Sequence, residues 1–121
     1  MARKQILVVD DNRDAADALA MALELLGGEP VFAYDGASAL ARLESLSPAL
    51  MVLDLSMPGM DGYTLVRTIR AQPRFESVPI IALSGFGSAV DRERSAAAGF
   101  DRHLLKPIEF SEIEALLQLA H

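Results

Sequence analysis

Short apolar runs alternate with amphipathic segments along all 121 residues, and this alternation limits the fold more than any other feature. Ile6-Leu7-Val8-Val9 runs into Asp10-Asp11, Leu50-Met51-Val52-Leu53 into Asp54, and His103-Leu104-Leu105 into Lys106-Pro107. A fourth run, from Val78 to Leu83, ends in Ser84. Unbroken apolar runs suit strands covered on both faces, and strands alternating with helices imply βαβ units with right-handed crossovers. A parallel sheet would bring the ends of these runs to one edge. There, beyond the carboxyl ends of the strands, open α/β sheets bind their ligands.

The remaining elements follow from periodicity and punctuation. Lys4 to Asp10 reads as a strand. Asn12 is an N-cap for a helix whose stripe is Ala16, Leu19, Leu23 and Leu26, stopped by Gly27-Gly28. Glu29 to Tyr34 is a weaker strand at an edge, since Pro30 cannot donate to a ladder. Asp35-Gly36 opens a short helix through Leu40 and Leu43. Ala49 to Asp54 is the central strand, and the loop Pro58-Gly59-Met60-Asp61-Gly62 leads to a helix from about Tyr63 to Ala71. Ser88 caps an alanine-rich helix ending at Gly99, and Arg102 to Leu105 is the last strand. Ser111-Glu112-Ile113-Glu114 reads as a capping box for a final helix with the stripe Ile113, Leu116, Leu117 and Ala120. Five strands and five helices make a doubly wound α/β sandwich, and the length suits one domain, residues 1–121.

Composition removes several function classes. A net charge of −6 disfavours direct nucleic-acid binding, which depends on Lys and Arg neutralising phosphates. The chain has no cysteine, no apolar run of membrane-spanning length and no signal-peptide core after Met1-Ala2-Arg3-Lys4, so a soluble cytoplasmic protein without a membrane partner is expected.

Singly, each polar strand end has a plain explanation: a helix cap at Asp10-Asp11, a loop acid at Asp54, a turn hydroxyl at Ser84, a solvated base at Lys106. Together they point to one chemistry. Three carboxylates within reach of one another repel, and a hard divalent cation resolves the repulsion. Mg2+ (or Mn2+ in its place) favours oxygen ligands and binds one or two carboxylates together with phosphate oxygens. Asp10, Asp11 and Asp54 would hold it, with a main-chain carbonyl completing the set. Asp54, on the central strand, is the expected phosphoryl acceptor, forming an aspartyl phosphate. Lys106 would neutralise a phosphoryl oxygen and Ser84 would donate a hydrogen bond to it.

Four pieces carry a resemblance over essentially the whole chain: Val8-Val9-Asp10-Asp11-Asn12, Leu53 to Gly62, Ala82-Leu83-Ser84-Gly85, and Ala98-Gly99-Phe100-Asp101 leading to Leu105-Lys106-Pro107. In this order and spacing they resemble bacterial two-component response-regulator receiver domains. The resemblance implies a flavodoxin-like (β/α)5 sheet of strand order 2-1-3-4-5. It implies phosphorelay signalling, with Asp54 taking a phosphoryl group from a sensor histidine kinase or a histidine-phosphotransfer protein. The chain would be a phosphoacceptor switch rather than an enzyme, changing the face built from the last two helices and last strand; a weak homodimer is also allowed for. The main-chain carbonyl of Ser56 would join the metal ligands, and the bond before Pro107 would be cis. Ser56 and Phe86 would tune loss of the acyl phosphate, Phe86 by shielding it.

One position departs from the family pattern. Receivers usually carry Tyr or Phe where this chain has His103, a ring that swings inward as the hydroxyl residue moves to the phosphate. His103 could make that rotation or simply face solvent. The stretch Gly99 to Ile108 is similar to receivers attached to hybrid sensor kinases, so a domain from a larger kinase or a stand-alone relay is expected, with no output domain after Ser111. The alternatives are a small aspartyl-phosphate phosphatase, a flavodoxin-like cofactor binder and a non-switching interaction module. Ser56 stands where dehalogenase-type phosphatases need an acid, and no glycine-rich phosphate loop follows the first strand.

Overall fold

The computed structural model describes residues 4–55, 57, 59–85 and 89–120. Strands β1 (Lys4–Val9), β2 (Gly28–Ala33), β3 (Leu50–Asp54), β4 (Ile80–Ser84) and β5 (Arg102–Leu105) form one parallel sheet in the order β2-β1-β3-β4-β5. Helices α1 (Arg13–Leu25), α2 (Gly36–Leu43), α3 (Gly62–Arg70), α4 (Ala89–Ala98) and α5 (Phe110–Leu119) connect and follow the strands. The expected flavodoxin-like topology is the one found.

The strand pleat divides each apolar run between two cores. Ile6, Val8, Leu50, Val52, Ile81 and Leu83 face α1 and α5, where Leu19, Leu23, Ile113 and Leu116 meet them. Leu7, Val9, Met51, Leu53, Ile80 and Ala82 face the other way, onto Leu43, Leu65, Val66 and Ile69 of α2 and α3. This two-sided burial is why the runs are continuous rather than alternating. Each such side chain contributes roughly 1.5–3 kcal/mol on burial. No helix among the described residues is long and apolar enough to cross a membrane.

Local chemistry sets the element ends. Asn12 Oδ1 accepts the Ala15 N–H at 3.1 Å, and Asp61 Oδ1 accepts that of Thr64 at 2.8 Å, capping α1 and α3. Gly27, at φ 92°, turns the chain out of α1. Gly28 then begins β2 one residue earlier than the sequence suggests. Gly62 lets α3 start against the end of β3: a Cβ there would stand 2.6 Å from the Asp54 carbonyl oxygen.

Three boundaries correct the sequence reading. The box at Ser111 is not the one used: α5 begins at Phe110, and the Glu112 carboxylate accepts the Glu109 N–H at 3.1 Å. The buried stripe Ile113 and Leu116 is the same in either arrangement, so hydrophobic pattern could not choose between the two starts. Ser84 belongs to β4 rather than to the loop after it, because its carbonyl accepts the Lys106 N–H at 2.9 Å and extends the ladder. A short 3-10 turn, Pro73–Phe75, follows α3 and buries Phe75 in the core.

Candidate functional site

Register assembles the site. Val9 pairs with Leu53, so Asp10 leaves β1 beside Asp54 at the end of β3. Asp54 pairs with Leu83, which puts Ser84 one step further along β4, and Ser84 pairs with Leu105, the residue before Lys106. Polar residues from four strands thus come to the carboxyl edge through main-chain pairing alone. Asp10, Asp54 and Ser84 are 2%, 4% and 1% exposed, so their partners decide what they can do.

One carboxylate oxygen from each of Asp10, Asp11 and Asp54 lies within 4.8 Å of the other two. At that separation and an effective dielectric of 20, each ionised pair repels by about 3–4 kcal/mol. Lys106 Nζ donates to Asp10 Oδ2 at 3.0 Å and lies 3.4 Å from Asp54 Oδ2. The other Asp10 oxygen accepts the Asn12 N–H at 3.0 Å, so the turn that caps α1 also fixes this carboxylate. Burial alone would lower the Lys106 pKa. The hydrogen bond that Lys106 donates to Asp10 and the charges of Asp10 and Asp54 outweigh it, and the net direction is up. Lys106 is therefore a fixed cation. Three carboxylates against one ammonium leave the cluster negative, and its donor set is oxygen throughout, which fits a hard divalent cation. The Lys106–Pro107 peptide is cis.

Ser84 and His103 meet. Ser84 Oγ lies 2.6 Å from His103 Nε2, and Ser95 Oγ of α4 lies 3.1 Å from the other ring nitrogen. The imidazole is half-buried between a strand-end hydroxyl and a helix hydroxyl rather than turned to solvent. Sequence reasoning missed Ser95. It precedes Ala96-Ala97-Ala98, and nothing in that pattern marks it; only its 2% exposure singles it out. Ser56 and Phe86 lie outside the described residues.

The sequence matches the response regulator receiver domain family over residues 6–118. The chain belongs to that family. A curated relative, the uncharacterized 14.6 kDa protein in the sodA1 3' region of Leptolyngbya boryana, is 38% identical over 118 residues, covering 98% of this receiver and 90% of the relative. Transcriptional regulatory protein PrrA of Mycobacterium leprae is 39% identical over 111 residues, 92% of this receiver but only 47% of PrrA. The receiver thus spans about half the length of such regulators. Among solved structures, the receiver domain of sensor histidine kinase PA1611 from Pseudomonas aeruginosa superposes with a TM-score of 0.88 at 34% identity, over 97% of this chain and 96% of that one. That structure has a magnesium ion coordinated in its active site cleft. The receiver described here is a two-component signalling module.

Proposed function

We propose that Asp54 accepts a phosphoryl group from a phosphohistidine on a sensor histidine kinase or histidine-phosphotransfer protein, in the cytoplasm, with Mg2+ bound. The observation that carries this reading is the meeting of Asp10, Asp11, Asp54 and Lys106 at one sheet edge. Asp10, Asp11 and Asp54 would hold the metal, with the Ser56 carbonyl as a further ligand. Bound there, Mg2+ would supply positive charge to the phosphoryl oxygens.

An Asp54 oxygen forms the new bond to phosphorus as the donor's N–P bond breaks, and the electron pair of that bond stays on the departing imidazole. Positioning and neutralisation account for most of the catalysis in such transfers. Lys106, held by two carboxylates, supplies a cation whose proton does not leave near neutral pH. Ser84 donates its hydroxyl to a phosphoryl oxygen once Asp54 is modified, and the face of α4, β5 and α5 carries the change to partners. The receiver is an acceptor that takes part in its own modification, not a turnover enzyme. An apolar groove between α1 and α5, lined by Ala15, Leu19, Ala22 and Ile113, opens beside Asp10 and Lys106 and offers a donor protein an approach to Asp54.

Incubation with acetyl phosphate and Mg2+, followed by intact mass measurement, tests the reading. One added phosphoryl group is expected, absent without Mg2+ and absent in Asp54→Ala. An adduct that persists in Asp54→Ala would contradict the assignment.

A further inference from the structure

The hydroxyl of Ser95 is bonded on two sides. It donates to the Arg92 carbonyl oxygen at 2.9 Å, and it lies 3.1 Å from His103 Nδ1. A serine hydroxyl has one proton, and a carbonyl oxygen can only accept. Both contacts are hydrogen bonds only if the Ser95 proton goes to Arg92 and the His103 Nδ1–H donates to Ser95 Oγ. Ser95 is buried, so the half-buried His103 ring meets a hydroxyl that is itself shielded from bulk water.

The consequence passes across the ring. A neutral imidazole with its proton on Nδ1 presents Nε2 as an acceptor. Ser84 Oγ, 2.6 Å from Nε2, must then be the donor. The chain of donation runs from Ser84 to His103 to Ser95 to the Arg92 carbonyl. In this arrangement the single Ser84 proton is committed to His103.

We propose that Ser95 is a positioning residue which, through the tautomer of His103, holds the Ser84 hydroxyl proton away from the phosphoryl site. This rests on the reading of Ser84 as a donor to the phosphoryl group of Asp54. To donate there, Ser84 must give up its bond to Nε2, or His103 must carry its proton on Nε2 and donate to Ser84 instead. Ser95 opposes the second route, since it would have to take its proton from Arg92 and turn it toward Nδ1. Without the Ser95 hydroxyl, Nδ1–H loses that hydrogen bond, the Nε2–H form gains weight, and Ser84 can serve the phosphoryl group while still bonded to His103. Family members with Phe at the His103 position have no ring nitrogen through which such a hold could act.

The test uses S95A, the double variant S95A/H103F and H103F alone, with beryllofluoride and Mg2+ as the phosphoryl probe. Long-range 1H–15N spectra of the unmodified wild type should show His103 as the Nδ1–H tautomer, with weight moving to Nε2–H in S95A. NMR titration should show beryllofluoride binding S95A about fivefold more tightly than wild type, the equilibrium value of one hydrogen bond no longer broken. In the H103F background S95A should have no effect. An Nε2–H tautomer in wild type, unchanged affinity in S95A, or the same gain in the H103F background would each overturn the proposal; the last would mark Ser95 as merely structural. Failure of the underlying reading is separately visible, because Ser84→Ala would then bind beryllofluoride with Mg2+ as tightly as wild type, and the coupling would fall with it. Failure of the coupling alone leaves the weaker binding of Ser84→Ala intact.

Discussion

The two ends of the sheet are both built from ions, and they are built on opposite plans. At the carboxyl edge, Asp10, Asp11 and Asp54 crowd one another, and one ammonium, that of Lys106, lies against Asp10 and Asp54. At the amino ends of β4 and β5, one guanidinium meets one carboxylate and several carbonyls. Arg70 Nη2 donates to Asp101 Oδ2 at 2.7 Å, Nε to the Gly99 carbonyl at 2.9 Å, and Nη1 to those of Phe75 and Val78 at 2.8 and 2.7 Å. The same Asp101 oxygen accepts the Ile80 N–H at 2.8 Å. Charge balances there, and the donors are matched to part-buried carbonyls of the 3-10 turn, the segment before β4 and the α4–β5 loop. Balance makes the Arg70 cluster a clamp. Imbalance suits the Asp54 cluster to the cation and phosphoryl group proposed for it. Helix α3 joins them: its first residue, Gly62, backs onto Asp54, and its last is Arg70.

The largest expected effect breaks the clamp. Arg70→Met should lower unfolding stability by about 1–3 kcal/mol, because it leaves part-buried carbonyls without donors, while the pair with half-exposed Asp101 adds little. Urea unfolding measures this. At permissive temperature the variant should still take one phosphoryl group on Asp54. A loss of stability under 1 kcal/mol would mean that water replaces the guanidinium and that the contrast between the two ends is only one of geometry.

The reverse pattern is expected at the other end. Asp11 is exposed, and Asp11→Asn removes one of the three repelling charges. Stability without metal should stay within about 0.5 kcal/mol of wild type or rise slightly. Mg2+ affinity should fall roughly tenfold, as expected when a ligand carboxylate is lost from a site with several waters. Calorimetric titration with Mg2+ and a thermal melt in chelator separate the two quantities. A variant that melts lower in chelator yet binds Mg2+ as well as wild type would place Asp11 among the structural residues.

How much of this was legible in the sequence follows from the same contrast. The carboxyl edge is written in residues that end apolar runs. A run fixes where a strand stops, and parallel pairing then brings the stops together, so Asp10, Asp54, Ser84 and Lys106 could be located by number. Arg70 could not. At the end of an amphipathic helix it reads as a solvated base, and its partners are mostly carbonyl oxygens, which every residue carries and no sequence displays. Ser95 is hidden for a related reason: its role depends on how α4 rotates over β5, and an alanine-rich helix holds few side chains that fix that rotation in advance. The start of α5 shows the limit of local signals, since two acid-bearing starts stood two residues apart and both served the same buried stripe.

The smallest expected effect concerns the helix that links the two ends. Asp61 caps α3, and the hydrogen bond from the Thr64 backbone N–H holds its carboxyl below the ordinary value of 3.8, against a smaller opposing push from burial. A carboxyl depressed in the folded state contributes stability that is complete above its unfolded pKa and is lost as pH falls through the folded one. Asp61→Ala should therefore cost about 1 kcal/mol at neutral pH. The difference from wild type should hold down to the ordinary carboxylate range and shrink below it, as Asp61 itself takes up a proton and stops capping. Lys106 has the opposite sign: its raised pKa gives a contribution present below the ordinary lysine range and lost only as pH rises through its folded value. Acid should thus loosen the start of α3 while leaving the Lys106 ammonium charged. Denaturant midpoints of wild type and Asp61→Ala that stay the same distance apart at pH 7 and pH 3 would show that the Asp61 side chain holds α3 by packing rather than by its charge.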